Sequence, residues 1–402
     1  MNEQNKKVPT VRFKGFTNDW EQHKLGDVVN LIGGGPFKST DSVSKGIPWL
    51  KIANVGVNGI TWNTESYLPE YFWNDYPQYQ LKKGNYVVAL TRPILNHRLK
   101  ISKLDRDALL NQRVAKLTTS ENLQYIVHLL ERKKVVLQIE NNLSGSDPPN
   151  LSSKDLYRIK IKIPSESNEQ KQIGTFLTKL DSIISLQQRK LDLLKQLKKG
   201  LLQKMFADKD SKRPVLQFKI FHDDWEQRKL GDLIKEFSIK SKIEDEYKVL
   251  SSTNSGMKFR EGRVTGTSNL GYKIIKNGDL VLSPQNLWLG NININNIGKG
   301  LVSPSYKTFK LINIDSSFIN PQLRTQKMLE EYKNSSTQGA SVVRRNLEID
   351  SFYQIKIFVP TISEQEKIGS FFQRLDNTIV LQHQKLAKCQ SVKKSLLQQM
   401  FI

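Results

Sequence analysis

The chain has 402 residues, too many for one ordinary core, so two or more domains are expected. Its 38% hydrophobic and 9% aromatic content excludes a disordered chain. With 62 Lys and Arg against 39 Asp and Glu, the formal charge of +23 points to a polyanionic partner, nucleic acid ahead of an anionic membrane surface.

No apolar run approaches the ~20 residues that span a bilayer, and the opening MNEQNKK lacks the apolar stretch of a secretory signal. No membrane association and a cytoplasmic location are therefore expected. The lone Cys389 excludes an internal disulfide and fits a reducing compartment. Scattered histidines and one cysteine have no metal-ligand spacing, so no metal is expected.

In chain order, the first marked segment is NDWEQHKLGD, Asn18 to Asp27, which returns as DDWEQRKLGD from Asp223 to Asp232. GGGPFKS (Gly33 to Ser39) lacks the Gly-Lys pair of a phosphate loop and reads as a turn, with Lys38 a candidate phosphate contact. NYVVAL (Asn85 to Leu90) is a short apolar strand after a turn at Gly84. TRPILNHR follows it and offers Thr91, Arg92, Asn96, His97 and Arg98, residue types that pair with base edges. Tyr125 to Glu140 reads as one helix.

SDPPN (Ser146 to Asn150) is close to the Asp-Pro-Pro-aromatic motif of adenine methyltransferases. Asn150 stands where an aromatic would stack on the flipped base, so a Pro-rich turn is expected. YRIKIKIP (Tyr157 to Pro164) then gives a β-like exit strand.

From Glu169 to Phe206 comes EQKQIGTFLTKLDSIISLQQRKLDLLKQLKKGLLQKMF, and from Glu364 to Phe401 EQEKIGSFFQRLDNTIVLQHQKLAKCQSVKKSLLQQMF. They align without a gap, about half the positions being identical. Alternating steps of four and three from Ile173 reach Leu177, Leu180, Ile184, Gln187, Leu191, Leu194, Lys198, Leu201 and Met205. The same steps from Ile368 reach Phe372, Leu375, Ile379, Gln382, Leu386, Cys389, Lys393, Leu396 and Met400. This heptad-like seam predicts two helices of roughly 55 Å, each needing a partner, for which the other copy in antiparallel register is the simplest. Gln187 and Gln382 break the seam at equivalent places. Either they face each other and fix register, or both reach solvent at the seam edge.

ADKDSKRP (Ala207 to Pro214) reads as a linker. Beyond it, LSSTNSGMKFR offers Ser252, Thr253, Asn254, Lys258 and Arg260 as DNA-contact candidates. DLVLS (Asp279 to Ser283) is the second copy's strand after Gly278, and SPQNLW offers Gln285 and Asn286. Pro321 to Asn334 reads as a helix matching Tyr125 to Glu140. Arg344 and Arg345, in RRN, sit where the block meets the second long helix. The acidic run Glu244 to Glu246 reads as a solvated surface, and no catalytic constellation emerges. Trp20 and Trp225 recur unchanged, which suits packing better than base reading.

The ordered, duplicated set resembles the DNA specificity subunits of type I restriction–modification systems. It comprises DWEQHKLGD and DWEQRKLGD, EQKQIGTFLTKLD and EQEKIGSFFQRLD, GGGP with GIPWLKI, LNQRVAKL, and GLVSPSYKTFKL. The resemblance covers essentially the whole chain. It implies a mixed α+β fold: two α/β target recognition domains separated by two long antiparallel helices in a pseudo-two-fold repeat. The expected boundaries are 1–165 and 215–361 for the recognition domains, 166–206 and 362–402 for the helices, and 207–214 for the linker.

It also implies a non-catalytic subunit that reads a bipartite target in double-stranded DNA, helix length setting the unspecified spacer. Two methyltransferase subunits and restriction/translocase subunits are the implied partners. They would carry S-adenosylmethionine, ATP and Mg, this chain binding no cofactor itself. Many relatives carry Asn-Pro and a nearby Arg where this chain has Ser283-Pro284-Gln285-Asn286, which implies a different base preference. The rival reading is a stand-alone DNA-binding or architectural protein without enzyme partners; a self-sufficient methyltransferase is a further one.

Overall fold

The computed structural model describes residues 7–143, 148–207, 211–260, 268–338 and 345–402. The chain forms two compact units, residues 1–188 with 385–402, and residues 189–384. Each long helix is divided between them near its middle.

The long helices run from Ser167 to Lys204 and from Ile362 to Gln399, 38 residues each, as the periodicity predicts. Every seam position is buried or half-buried, Gln187 and Gln382 included, while most other helix positions face solvent. Lys198 and Lys393 stay in the seam because each finds a carboxylate. In the second unit Lys198 pairs with Asp376. In the first, Lys393 Nζ lies 2.6 Å from Asp181 and 2.7 Å from Glu131. Within each unit the segments of the two helices run antiparallel: Phe206 at the end of one stacks on Phe372 near the start of the other. Phe401 likewise joins Ile173 and Leu177 in the first core.

The repeated motifs interlock. The strand Glu21–Lys24 pairs antiparallel with Lys160–Ile163, and Glu226–Lys229 pairs with Lys356–Val359 in the same register. A Cβ on Gly26 would fall 2.5 Å from the Tyr157 ring, and one on Gly231 would fall 3.0 Å from Tyr353. The Leu-Gly-Asp turn and the exit-strand tyrosine therefore need each other. A Cβ on Gly174 would meet the Tyr125 backbone nitrogen at 2.6 Å, and one on Gly369 the Ser317 backbone at 2.8 Å. Those glycines let a second helix dock end-on against each long one.

The start of each long helix is built the same way. Gln170 accepts from the Asn122 N–H (3.0 Å) and donates to the Pro164 carbonyl (2.9 Å); Gln365 accepts from Asp315 and donates to Pro360, both at 2.8 Å. Beside it, Glu169 is fully buried and accepts two hydrogen bonds from Arg12, at 2.7 and 2.8 Å. At the matching place Glu364 accepts from the neutral Gln217, at 3.0 Å.

Each unit has a four-stranded antiparallel sheet of one plan. In the first the order is Val29–Gly33, Val114–Thr119, Tyr86–Ala89, Ile101–Lys103; in the second, Ile234–Phe237, Lys307–Leu311, Leu280–Leu282, Ile292–Ile294. The strands expected after Gly84 and Gly278 are the inner ones, and both glycines have positive φ, +94° and +85°. The first unit adds a four-stranded sheet in which Ile47–Leu50 and Ala108–Leu110 run parallel.

The helix expected over Tyr125 to Glu140 is two, Leu123–Leu130 and Lys133–Asn142. Arg132 breaks it in an extended conformation. Its guanidinium is drawn to the Phe401 ring (5.4 Å) and the Ile402 carbonyl. The counterpart is likewise two, Ser316–Gln322 and Gln326–Asn334, the second capped by Thr325. Tertiary contacts and a capping side chain override the local helical pattern here.

His128, Glu131 and Asp181 converge in the first unit, close enough to ligate one ion. Their separation along the chain hides them from a motif search. The Lys393 ammonium already sits against both carboxylates. Burial pushes Glu131 up, but the His128 hydrogen bond and the Lys393 charge outweigh it and hold the carboxyl at about 2, against an ordinary 4.5. A depressed carboxyl contributes stability above its unfolded value and loses it as pH falls towards the folded one. Lys393→Met is therefore expected to lower stability at neutral pH. It should also flatten the acid limb between about pH 4.5 and 2, where the wild-type group loses up to about 3 kcal/mol. Urea titrations at several pH values check this; parallel pH curves for the two proteins would contradict it.

Candidate nucleic-acid interface

In the first unit, Ile94–Leu95 and Arg98–Leu99 form a hairpin whose two-residue turn is Asn96-His97, with φ of +51° and +54°. Two consecutive positive φ values match the right-handed twist of the strands, and Asn tolerates the conformation well. Asn96 is exposed at the tip. His97 Nδ1 lies 2.9 Å from Glu140, which ties the tip to the helix Lys133–Asn142. Arg98 is exposed, but its guanidinium donates to Asn58 and to the Val57 carbonyl, both at 2.9 Å. Arg92 is exposed and left-handed (φ +47°), its N–H donating to the Pro149 carbonyl at 2.9 Å.

Thr91 is half-buried; its hydroxyl donates to Asn150 Oδ1 at 2.7 Å. The Pro-Pro-Asn segment is thus the neighbour of this loop. Ser146 and Asp147 lie outside the described residues. Lys38 is exposed, and its loop is bridged through Gly35 to Asn111. The structure therefore draws Thr91 and Arg92 to one edge, with the Lys38 loop joined to it through the turn at Asn111.

In the second unit, Leu250–Thr253 and Gly256–Phe259 form a hairpin. Strand alternation turns Ser252 inward, against the expectation of a surface residue. It is 3% exposed and accepts from Asn293 at 2.8 Å. Thr253 closes the turn by donating to the Gly256 carbonyl at 2.8 Å. Asn254 is exposed, its carbonyl accepting from Arg324. Lys258 and Arg260 are exposed.

Gln285 is exposed and Asn286 half-buried, on the loop between Leu282 and Ile292. The Asn286 carbonyl accepts from the Leu289 N–H at 3.1 Å. Arg345 meets this loop, its N–H lying 3.4 Å from the Gln285 carbonyl. Its guanidinium is committed to Ser336 (2.9 Å) and the Lys333 carbonyl (3.3 Å), which makes it a brace for the hairpin Ser336–Gln338/Arg345–Leu347. Arg344 lies outside the described residues. The edge thus collects Gln285, Asn286 and Arg345, with Asn254, Lys258 and Arg260 on a separate hairpin.

Gln112 and Arg113 belong to the LNQRVAKL segment and lie outside the contact candidates that the sequence offers. Both are exposed on a short polar turn between two buried strands, Ala108–Leu110 and Val114–Thr119. That pattern was the available signal. Trp20 and Trp225 are buried in the two cores, as expected for packing residues.

Fold and edge together define a basic, internally duplicated protein that mounts unlike polar loops on like scaffolds. The model of the type I restriction modification DNA specificity domain matches residues 17–196 and 222–390, and the chain belongs to that family. It is 35% identical over 197 residues to the type I restriction enzyme MjaVIII specificity subunit of Methanocaldococcus jannaschii, covering 48% of this chain and 46% of that protein. To the EcoAI specificity subunit of Escherichia coli it is 29% identical over 171 residues, 41% of this chain and 28% of that one. The matches thus span less than half the length of these two relatives. A putative MjaX specificity subunit, also from Methanocaldococcus jannaschii, matches at 22% over 94% of this chain and 92% of its own. The solved type I restriction–modification S subunit from M. genitalium shares the fold, with a TM-score of 0.64 at 16% identity over 98% of this chain and 99% of that one. Among the described residues no helix is long and apolar enough to cross a membrane.

Proposed function

We propose that this chain is the specificity subunit of a type I restriction–modification complex, each unit reading one half of a bipartite target in double-stranded DNA. It would direct two methyltransferase subunits and, where present, restriction/translocase subunits to that target. The chain itself would do no chemistry. S-adenosylmethionine, ATP and Mg belong to the partners in this reading, and the complex works in the cytoplasm.

The observation that carries it is the contrast within the repeat. Sheet order, strand register and helix-start hydrogen bonds coincide between the units. The loops above them differ in length and side chain. Shared scaffold with divergent polar loops suits two readers of different sequences. A charge of +23 supplies the phosphate attraction.

Two measurements test this. Coexpressed with methyltransferase chains, the protein should copurify with two of them. Methylation-aware sequencing with and without it should reveal adenine methylation at one split motif that depends on this chain. A stable lone chain that binds DNA without assembling with those chains would favour the architectural alternative.

A further inference from the structure

Four segments of the first unit lie side by side at the edge where Thr91 emerges. Gly35 N–H donates to the Leu110 carbonyl (2.9 Å), and Gln112 N–H donates back to Gly35 (3.1 Å). Leu90 N–H donates to the Arg113 carbonyl (2.9 Å), and Leu151 N–H to the Leu90 carbonyl (2.8 Å). The turn Asn111–Arg113 is closed from within, Asn111 accepting from the Val114 N–H at 3.0 Å and its side chain from the Arg113 N–H at 3.1 Å. Its backbone is thus bound on both sides and across its own bend.

The side chains on this turn are different. Gln112 and Arg113 are exposed, and among the described residues neither side chain has a hydrogen-bond or ion-pair partner. They line a shallow groove with Thr91 and Asn150. Other polar side chains nearby are committed internally: His97 to Glu140, Arg98 to Asn58. A rigid backbone presenting an unengaged guanidinium and an unengaged amide side by side is the arrangement base-edge reading requires.

The repeat sharpens the point. Val114 pairs with Ala89 as Lys307 pairs with Leu282, so the turn before each is at an equivalent place. In the second unit that turn is Ser303 to Tyr306. It closes on itself: the hydroxyls of Ser303 and Ser305 are 3.0 Å apart, and the Tyr306 hydroxyl points back to the Ser252 carbonyl (3.4 Å). The same scaffold position carries an amide and a guanidinium in one unit and hydroxyls in the other.

We infer that Gln112 and Arg113, flanked by Thr91 and Asn150, are specificity-determining residues of the first unit. Arg113 reads guanine through two parallel donors, and Gln112 reads adenine through its amide. This rests on the function proposed above.

The test uses the full chain in cells that supply the methyltransferase chains, with genomic methylation mapped by sequencing. Wild type defines the split motif. Arg113→Ala and Gln112→Ala should each relax one or two positions of the same half, by about ten-fold or more in preference, and leave the other half unchanged. Arg113→Lys keeps the charge without the fork, so it should methylate with the same relaxed preference. The inference is overturned if the alanine variants keep every wild-type base preference, or if Arg113→Lys restores full discrimination. It is also overturned if the loss is uniform across sequences, which marks a phosphate contact. A wild-type complex that methylates no defined motif overturns the functional reading itself, and the two failures are separable because they fall in different arms.

Discussion

Replacing Arg12 by alanine should destabilise the first unit by about 3–5 kcal/mol, the cost of stripping one partner from a buried ion pair. The Glu169 side chain has no exposed surface, and among the described residues Arg12 is the one cation paired with it, at 2.7 Å. The indole N–H of Trp20 reaches the same carboxylate at 3.4 Å, too far to take over. For a unit of this size the melting temperature should fall on the order of 10 °C, which calorimetry would register. An unchanged midpoint would mean that the pair is not held in solution.

The second unit supplies the control. There Gln217 stands in place of Arg12, and burial raises the Glu364 carboxyl, the Gln217 hydrogen bond opposing this only in part. A carboxyl whose folded value is raised favours the folded state in acid and loses that contribution as pH rises through it. Gln217→Arg should therefore stabilise at neutral pH, and the gain should vanish below the carboxylate range. A gain of equal size at pH 3 would rule out the ion pair as its cause.

Phe401→Ala is the second large effect, again about 3–5 kcal/mol, because an aromatic is removed from a filled core. Phe401 stacks on Tyr125 at 5.1 Å, meets Trp20 edge-on at 6.4 Å and carries the Arg132 guanidinium. The loss should appear as faster hydrogen exchange through Leu123–Leu130 and Lys133–Asn142, which lean on it. Phe206→Ala should do the same to Ser316–Gln322 and Gln326–Asn334 in the second unit, since Phe206 packs on Phe318 at 5.5 Å and Phe372 at 5.8 Å. Wild-type exchange in both helix pairs would show that the helix ends do not anchor the cores.

These residues explain why the repeated motifs are so readable. DWEQ-KLGD, the exit strand, the helix start and the terminal Met-Phe touch one another, so each constrains the others' residue types. Trp20 meets Glu169 and Phe401, Gly26 meets Tyr157, and Gly174 meets Tyr125. The candidate interface was less legible. Ser252 lies on a strand where one position of register decides between surface and interior, and no local pattern marks which. Arg98 and Arg345 look like DNA contacts from residue type alone, yet both guanidinium groups bind their own unit.

The sequence by itself determined the duplication, the two long helices and the scaffold residues, because a heptad seam and a repeated motif are written locally and redundantly. Only the tertiary structure decided the break at Arg132, the meeting of Lys393 with Glu131 and Asp181, and the exposed pair Gln112-Arg113. The physical reason is separation. Lys393 and Glu131 are 262 residues apart, so their attraction leaves no periodic trace in either segment. The freedom of Gln112 and Arg113 is likewise defined by what their neighbours across the edge already bind.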